Sequence, residues 1–558
     1  MDNYQIADHF SLLSKLLDIH GEDPFRARSY SSAAFAIEKA GVPLTGLPPE
    51  KMASIKGIGS SSAQKIAELL KTGRLAALDK LLSATPPGIL DMLRIKGIGP
   101  KKIHTIWKEM GIESLGELLY ACRENRLKLY KGFGDKTQQN IIDNIEFYFK
   151  HMDSYLYAQA LAFLPPAQTM LEKQFGTSAV MLTGAMARQL EVIDHLEFAV
   201  AASEETVIEK MAPAGYEVKE NDKEKGILFS HTEGIHIIIY PCSKESLTAT
   251  AVLKSCSPEF AADLEKKGLP AGAKNEEDYF KKAGIPFIPA SRREDPALIS
   301  EMNSTTSPAP PIQPKDIRGL IHCHSTWSDG GNSLEELAEA CLKKGLEYMV
   351  ISDHSKSAFY AQGLSEERIA AQHKQIDELN KKLKPFRIFK SIECDILNDG
   401  SLDYSDKVLQ SFDLVIASVH SNLKMTEEKA MERLLKAIAN PYTCILGHMT
   451  GRLLLSRNGY PVDHTRIIDA CAKHRVAIEL NANPNRLDID WRHINEALNA
   501  GVYISINPDA HSVEGIEDIL FGVLQAQKTK LSPDRNLSSL GLQEFEAFLE
   551  DRKKKTGI

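Results

Sequence analysis

Histidine and carboxylate residues recur at the ends of successive apolar runs in the last third of this chain. The runs are short and β-like, and helix-like segments such as 333–344 and 366–382 separate some of them. This alternation predicts parallel β-α units, which close into a barrel when they repeat. Strands that each deliver a metal-binding side chain at their C-terminal end build a site on one rim of such a barrel. The predicted strands are 319–321, 348–351, 387–389, 414–417, 444–446 and 502–506.

The polar residues at these strand ends are of the types that bind divalent metals. They exceed the four ligands of a single structural zinc, so they predict a multinuclear centre, for which phosphate esters are the usual substrates. We expect Asp353 to orient a histidine and Asp395 to be a structural or surface residue. His322 and His324 are two residues apart and should project to the same side of a strand. The full set is His322, His324, Asp329, Asp353, His354, Glu393, Asp395, His420, His448, Asp509 and His511.

The bulk properties of the chain exclude several classes of protein. Its 558 residues predict three or four domains, and its net charge of −8 gives no general signal for nucleic-acid binding. The eight cysteines lack paired spacing, which favours a reducing cytoplasm over a disulfide framework. The N-terminal sequence has no signal-peptide pattern, and no apolar stretch approaches the length of a membrane span. We therefore expect a cytoplasmic protein that makes no membrane contact.

The first 150 residues are helix-like and contain one motif three times. The pattern apolar-Lys-Gly-apolar-Gly occurs at 55–59, 95–99 and 130–134, and a helix-compatible run follows each copy. Its two glycines allow a tight turn that points backbone N–H groups at a phosphate oxygen. Three copies predict helix-hairpin-helix motifs that bind the DNA backbone, and ordinary interhelical turns are the alternative. The predicted DNA contacts are Gly57, Gly59, Gly97, Gly99, Lys101, Lys102, Gly132 and Gly134.

These segments, in this order, resemble the bacterial family X DNA polymerases. The likeness covers essentially the whole chain and is clearest at 23–34, in the first two hairpins, at 284–289 and over 319–525. It implies an all-α N-terminal part with helix-hairpin-helix motifs, an α+β nucleotidyltransferase-like palm and thumb, and a C-terminal α/β polymerase-and-histidinol-phosphatase (PHP) domain, a distorted TIM-like barrel. The implied divisions are a lyase-like domain (1–90), a fingers-like domain (91–150), a palm (151–244), a thumb (245–302), a linker (303–317) and the PHP domain (318–558).

All nine metal ligands of the family's PHP domain have a counterpart in this chain. The resemblance implies that they hold two or three Mn²⁺ or Zn²⁺ ions for phosphoester hydrolysis. Arg452 is expected to clamp a substrate phosphate, and segment 481–486 to line the substrate site. The ligand positions are His322, His324, Asp329, His354, Glu393, His420, His448, Asp509 and His511.

The predicted palm departs from the family at its catalytic residues. Family X polymerases hold two Mg²⁺ ions with three carboxylates on two neighbouring strands. The matching positions here are His195, Glu197 and His236, and imidazole suits hard Mg²⁺ poorly. Asp194 is one residue out of register, which points it to the opposite face of a strand. The sequence thus predicts a degenerate palm in which nucleotidyl transfer is lost or severely weakened. The palm strands are predicted at 180–183, 196–201, 226–230 and 235–240.

Lys65 follows the first hairpin at the spacing of the Schiff-base lysine in lyase-active relatives. That chemistry requires a neutral amine. A surface lysine that contacts phosphate is the alternative interpretation.

Together these patterns predict a metal-dependent 3′–5′ exodeoxyribonuclease or 3′-end-processing phosphoesterase. The resemblance places it in DNA repair of the base-excision type, as a monomer acting on gapped, nicked or abasic duplex DNA. Three alternatives stay open: an active gap-filling polymerase with an attached exonuclease, a DNA-binding scaffold whose PHP site is structural, and a small-molecule phosphatase.

Overall fold

A computed structural model describes residues 1–123, 127–150, 154–231, 235–268, 270–301, 310–455 and 458–557. The chain forms two compact units, Met1–Met152 and Asp153–Ile558. Residues 303–309 of the linker expected at 303–317 lie outside the described residues, and the finer division into domains stays a prediction. None of the helices described is long and apolar enough to cross a membrane.

The first unit is helical throughout its described residues because apolar side chains recur at helical spacing. Its α-helices are α1 Asn3–His20, α2 Pro24–Glu38, α3 Pro49–Ala53, α4 Ser60–Thr72, α5 Ala76–Ser83, α6 Pro87–Met92, α7 Pro100–His104, α8 Leu115–Arg123 and α9 Asp135–Lys150. Asp2 and Gln5 form a capping box that starts α1, and Gly21 ends it in the left-handed conformation. One apolar core runs from Ile6 to Ile145, so both predicted helical domains share it.

The second unit begins with a mixed five-stranded sheet of order β2-β4-β7-β6-β5 and a two-stranded ribbon, β1-β3. The strands are β1 Tyr155–Leu156, β2 Val180–Thr183, β3 Val192–Ile193, β4 His195–Val200, β5 Glu217–Asp222, β6 Gly226–Ser230 and β7 His236–Pro241. The helices are α10 Tyr157–Phe175, α11 Gly184–Ala187 and α12 Glu204–Met211. The four strands predicted here occur within one residue of their expected bounds. The sequence missed β5 because it is an edge strand whose residues are almost all polar and exposed.

A small helical segment follows this sheet and has its own core. Its helices are α13 Leu247–Lys254, α14 Pro258–Glu265, α15 Glu276–Lys282 and α16 Ala297–Glu301. Phe260, Tyr279 and Phe280 are fully buried in that core. Arg293 is also fully buried, and its guanidinium pairs with Glu276 at 2.7 Å, which satisfies the charge.

The C-terminal region is a nearly closed barrel of seven parallel strands that follow one another in chain order. The strands are β8 Gly319–Cys323, β9 Tyr348–Ile351, β10 Arg387–Asp395, β11 Leu414–Ser418, β12 Thr443–Leu446, β13 Ala477–Asn481 and β14 Ile504–Asn507. The helices are α17 Leu334–Lys343, α18 Glu366–Lys382, α19 Asp406–Leu409, α20 Glu427–Ile438, α21 His464–His474, α22 Ile494–Asn499, α23 Ile519–Ala526 and α24 Leu542–Thr556. Six of these strands were predicted, and β13 was missed.

The barrel closes where β8 meets the chain just after β14. The amide of His324 donates to the carbonyl of Ala510 at 2.8 Å, and the amide of Ala510 donates to the carbonyl of His322 at 3.3 Å. One π-helix, Thr105–Glu109, follows α7 in the first unit. Short 3₁₀ helices complete the described fold: Leu127–Leu129, Thr177–Ala179, Ala212–Ala214, Ala290–Arg292, Pro314–Asp316, Phe359–Ala361, Trp491–His493, Glu514–Asp518, Pro533–Arg535 and Leu537–Ser539.

Two layers of apolar side chains hold the barrel together. Tyr348, Phe389 and Leu414 pack with Phe545 of α24, which fills the end of the barrel at which the strands begin. Side chains on the other face of the strands point out of the barrel and pack against α17 and α18. The apolar interior therefore occupies one end and leaves the other end, where the strands finish, to polar side chains.

Candidate metal centre and DNA-binding hairpins

The nine predicted ligands meet at the C-terminal end of the barrel. Each belongs to the end of a strand or to the loop that follows it, and all seven strands except β13 contribute. His322 and His324 are fully buried, whereas the side chains of Asp329 and His511 are 34% and 42% exposed. The centre is thus closed below and open at one side. Three groups bring ligand atoms within 4.8 Å of one another: His324, Asp329, His354 and His511; His322, His324 and Asp509; and His354, Glu393 and His420.

Glu393 lies at the middle of the centre, and five imidazoles surround its carboxylate. Its Oε1 is 2.9 Å from His448 Nε2 and 3.1 Å from His420 Nε2. Its Oε2 is 3.0 Å from His354 Nδ1. The remaining two contacts, to Nε2 of His322 and of His324, are 3.3 Å and 3.6 Å. A carboxylate in this position could hold a metal ion together with the surrounding imidazoles, and it also links His448 to the other predicted ligands.

A backbone irregularity aims His322 into the site. The pairing of β8 with β9 shifts register between Ile321 and Cys323, and His322 has a φ of 63°. Asp509, beside the closure of the barrel, has a φ of 55°. Non-glycine residues adopt this left-handed conformation rarely, and it persists where surrounding structure holds it. His322 and His324 do reach the same carboxylates, Glu393 and Asp509, but through a bulge and not through regular alternation.

The buried nitrogen and oxygen atoms of the site that lack hydrogen bonds are of the kinds that bind a divalent metal ion. His322 Nε2, His324 Nδ1, His448 Nδ1 and Glu393 Oε2 are buried, and no described residue makes a hydrogen bond of good geometry with them, although His354 Nδ1 lies 3.0 Å from Glu393 Oε2. Buried polar atoms are normally paired, so four orphans at one point indicate a missing partner. A set of imidazole nitrogens and carboxylate oxygens suits Zn²⁺ and Mn²⁺. The residues therefore could hold such ions.

The charges at the site shift its pKa values strongly. Burial opposes a charged imidazole, but Glu393 and Asp329 outweigh it and raise the pKa of His354 to about 10. Burial and the neighbouring His511 and His354 lower the pKa of His324 to about 3. Burial would favour a neutral Glu393, but His420, His322 and His354 hold its pKa well below the usual range. The centre is therefore an electrostatically coupled cluster with an ionised carboxylate at its middle.

Glu479 is a residue of the centre that sequence reasoning missed. It lies on β13 and is fully buried. His322 Nδ1 donates to its Oε1 at 2.6 Å, and the amide of His448 donates to its Oε2 at 2.7 Å. Asn507 and Asn481 donate their side-chain amides to it at 2.8 Å and 3.2 Å. Glu479 thereby orients two of the predicted ligands, and the missed strand explains why it was not found.

Two further carboxylates differ from expectation. Asp395 is buried and accepts from His420 Nδ1, so it orients a predicted ligand and is not merely structural. Asp353 was expected to orient a histidine, but its described partners are the amides and hydroxyls of Ser325 and Ser328 and the side chain of Gln372. It therefore fixes the turn that follows His324 and leads to Asp329.

Arg452 does not stand free to clamp a phosphate. Its Nε donates to the carbonyl of Arg486 at 2.9 Å, its Nη1 to Asp490 at 2.8 Å, and its Nη2 to the carbonyl of Leu487. The guanidinium thus holds loop 486–490 in place. Arg486 itself lies closer to the centre, with its Nε 3.8 Å from Asp509 Oδ2.

The degenerate palm residues also come together. His195 on β4 lies directly opposite His236 on the parallel strand β7. Glu197 accepts from the hydroxyl of Tyr240 at 2.6 Å and from the amide of Ala185 at 3.1 Å, and His195 Nε2 is 3.5 Å away. Asp194 is exposed and accepts from Ser154. The three matching positions therefore carry one carboxylate, and protein donors already surround it.

The three hairpins share one backbone geometry. Their first glycines have positive φ, and their central apolar residues, Ile58, Ile98 and Phe133, are buried. Gly59 and Gly99 are the N-caps of α4 and α7, and α9 begins directly after Gly134. Lys101 is exposed on α7, whereas Lys102 donates to the carbonyl of Gly97 at 3.2 Å. The φ angles are 96° at Gly57, 88° at Gly97 and 94° at Gly132.

Lys65 lies on α4 near the first hairpin. Its ammonium is 3.4 Å from the hydroxyl of Ser61 and 5.7 Å from the centre of the Tyr30 ring. The described residues place no carboxylate beside it. Its assignment as a Schiff-base lysine stays a prediction.

The fold and the site define a protein that joins hairpins of the DNA-binding type to a PHP-type barrel with a candidate metal centre. Family models agree: a helix-hairpin-helix domain matches residues 1–75, a SAM-like helix-hairpin-helix tandem matches 89–146, and the PHP domain matches 321–483. The chain is 31% identical to the DNA polymerase/3′-5′ exonuclease PolX of Bacillus subtilis, over 96% of this chain and 97% of that protein. The chain belongs to the PHP-containing family X DNA polymerases.

Two further relatives match a smaller part of this chain and are named as probable phosphatases. A probable phosphatase of Caldanaerobacter subterraneus is 24% identical over 42% of this chain and 92% of its own length. The probable phosphatase YcdX of Escherichia coli is 28% identical over 34% of this chain and 78% of its own length. These relatives match the barrel and lack a counterpart of the hairpins in the matched part.

Proposed function

We propose that this protein is a metal-dependent 3′–5′ exodeoxyribonuclease or 3′-end-processing phosphoesterase that acts on gapped, nicked or abasic DNA during repair. Its palm does not extend DNA. One observation carries the proposal: the nine predicted ligand positions of the PHP centre all carry histidine or carboxylate and lie together at one end of the barrel, whereas the three matching palm positions carry one carboxylate.

Divalent ions bound at the rim would neutralise a phosphodiester and activate water for its hydrolysis. Glu393 and its five imidazoles would hold them, and Glu479 and Asp395 would fix the orientation of His322 and His420. Arg486, on the loop that Arg452 anchors, is placed to contact a substrate phosphate. The open side of the centre, beside Asp329 and His511, would admit the DNA end.

The hairpins favour DNA over a small phosphate ester as the substrate. Backbone N–H groups at a glycine turn before a helix bind phosphate regardless of sequence, as a protein that acts on broken DNA requires. A small-molecule phosphatase would have no use for three such turns. The named exonuclease relative spans the same hairpins and barrel together.

The palm argues against nucleotidyl transfer. Two Mg²⁺ ions need several hard oxygen ligands, and His195 and His236 present imidazoles where two carboxylates are required. The Glu197 carboxylate already accepts hydrogen bonds from the Tyr240 hydroxyl and the Ala185 amide and lies close to the His195 imidazole. Freeing it for metal would break those interactions.

One gel tests the proposal. Purified protein with Mn²⁺ is given a 5′-labelled, one-nucleotide-gapped duplex with and without dNTPs. We expect the primer to shorten from its 3′ end and to show no extension. The His322→Ala/His324→Ala variant should leave the primer intact, and a His195→Ala/His236→Ala variant should digest it at the wild-type rate. Extension of the primer by wild-type protein, or digestion by the His322→Ala/His324→Ala variant, would contradict the proposal.

A further inference from the structure

Phe359 is the most exposed large apolar side chain that the structure describes, at 84%. It opens the 3₁₀ helix Phe359–Ala361, in the loop between β9 and α18. The ring stands at a cavity of about 470 Å³. That cavity also includes His420 and Asp395, so it is continuous with the metal centre.

The segment that carries Phe359 is rigidly attached to the metal centre. The hydroxyl of Ser357 donates to one oxygen of Asp395 at 2.6 Å, and His420 binds the other oxygen. The amide of Ser357 donates to Asp403 at 2.7 Å, and Ala358 is fully buried. The backbone beside Phe359 is thereby anchored before any ligand arrives, which lowers the entropy lost on binding.

The lining of the cavity suits a nucleobase. Beyond the ring it offers the hydroxyl of Ser421, the NH₂ group of Asn398, whose carbonyl accepts from Asn422 at 2.6 Å, and the hydroxyl oxygen of Ser357 as an acceptor, since its hydrogen is donated to Asp395. Its second carboxylate, Asp399, is paired with Lys436 at 2.9 Å. An aromatic face with amide and hydroxyl groups provides stacking and hydrogen bonds to the edge of a base. The volume lies in the range of pockets that bind small organic groups.

We propose that Phe359 stacks on an unpaired nucleobase at the 3′ end of the DNA, and that this cavity is the base subsite of the PHP centre. A 3′ end must leave the duplex to bring its phosphodiester to buried ligands, and its bases then lose their stacking partners. The Phe359 ring replaces that lost stacking. This inference rests on the proposed nuclease function and adds a substrate-binding residue to it.

The test compares wild-type protein, Phe359→Ala and Phe359→Trp on single-stranded 5′-labelled oligonucleotides with Mn²⁺. Each oligonucleotide is made with intact 3′ nucleotides or with one abasic residue at the first, second or third position from the 3′ end. We expect Phe359→Ala to lower kcat/KM on intact DNA by between about 5-fold and 150-fold, mainly through KM. Phe359→Trp should keep the wild-type value within about twofold, since it retains an aromatic face.

The abasic series identifies the base that stacks. At one position, removal of the base should slow wild-type protein and leave Phe359→Ala unaffected, so that the two proteins become equal. Leu342→Ala, a change at an exposed apolar residue of α17, should match wild type on every substrate. Equal rates for wild type and Phe359→Ala on intact DNA would overturn the base subsite alone and leave the ring to another occupant, such as a second protein. Absence of digestion by wild type would overturn the nuclease function and the subsite together.

Discussion

His322 and Glu479 form a buried pair in which the imidazole Nδ1–H donates to the carboxylate at 2.6 Å. The bond fixes the tautomer of His322, so that Nε2 faces Glu393 at 3.3 Å and Asp509 at 3.4 Å. Glu479 also accepts from the amide of His448 at 2.7 Å. One carboxylate outside the nine predicted ligands therefore sets the orientation of two of them.

Replacement of this carboxylate should weaken metal binding without removing a ligand. We expect Glu479→Ala to lower the affinity for Mn²⁺ by about 10-fold to 100-fold, as measured by competition with a chelator, because partners of metal-binding histidines contribute that much. Asp413→Asn is the matched control, since Asp413 accepts from the Lys390 amide at the opposite end of the barrel. An affinity of Glu479→Ala equal to that of wild type would refute the orienting role.

Metal binding should release protons at neutral pH. Burial opposes the charged imidazoles, but Glu393 and nearby aspartates raise the pKa of His354 to about 10 and of His420 to about 9 in the metal-free protein. A metal binds the neutral imidazole, so both protons must leave when it binds. Below pH 9 the affinity should therefore rise with pH, by about 100-fold per unit for these two protons together.

Calorimetric titration with Mn²⁺ in buffers of different ionisation enthalpy measures this release directly. At pH 7 we expect at least two protons for full occupancy of the centre, from His354 and His420, and a further proton from His322, whose pKa is also raised by Glu479, Asp509 and Glu393 against the effect of burial. A binding enthalpy that is independent of the buffer would contradict the coupling between Glu393 and these histidines.

The barrel and the positions of its polar rim could be predicted from sequence because the end of each predicted strand is marked by a change from apolar to metal-binding residues. An apolar run that stops at His or Asp has few other interpretations, and the parallel topology brings such ends together. β13 could not be found in the same way. This strand is buried throughout, yet it carries the polar residues Glu479 and Asn481. Their burial is possible because residues elsewhere in the chain, such as Asn507, form hydrogen bonds with them, and a sequence does not show these partners.

Local backbone geometry was the second limit. The positive φ of His322 and the register shift of β8 depend on the closure of the barrel through Ala510, a contact between segments far apart in the chain. The sequence also cannot tell that the guanidinium of Arg452 is already occupied by loop 486–490. A motif identifies the residue, but its partners come from packing.

Substitution of Arg452 should affect stability more than phosphate binding. Arg452→Ala removes three hydrogen bonds. It also removes one of the two cations beside Asp490, Arg452 and Arg492, which hold the pKa of that carboxyl at about 2 against the effect of burial. We expect the free energy of unfolding to fall by about 2–3 kcal/mol in urea titrations. KM for DNA should change less than in Arg486→Ala, whose side chain lies closer to the centre. A large rise in KM with unchanged stability would instead support the phosphate clamp.

The second hairpin should contribute to DNA affinity without reading the base sequence. Lys101 is exposed and lies two residues after Gly99, at the start of α7, where a bound phosphate would meet both its ammonium and the backbone N–H groups. Each phosphate neutralised by a lysine adds about 0.9 to the slope of log affinity against log salt concentration. Lys101→Ala should therefore weaken binding to gapped duplexes of any sequence and reduce this slope by about one.

Lys80→Ala, on α5 and away from the hairpin turns, should leave the slope unchanged. If both variants reduced the slope equally, general surface charge and not the hairpin would account for DNA binding. If neither did, Lys101 would lie outside the path of the DNA backbone.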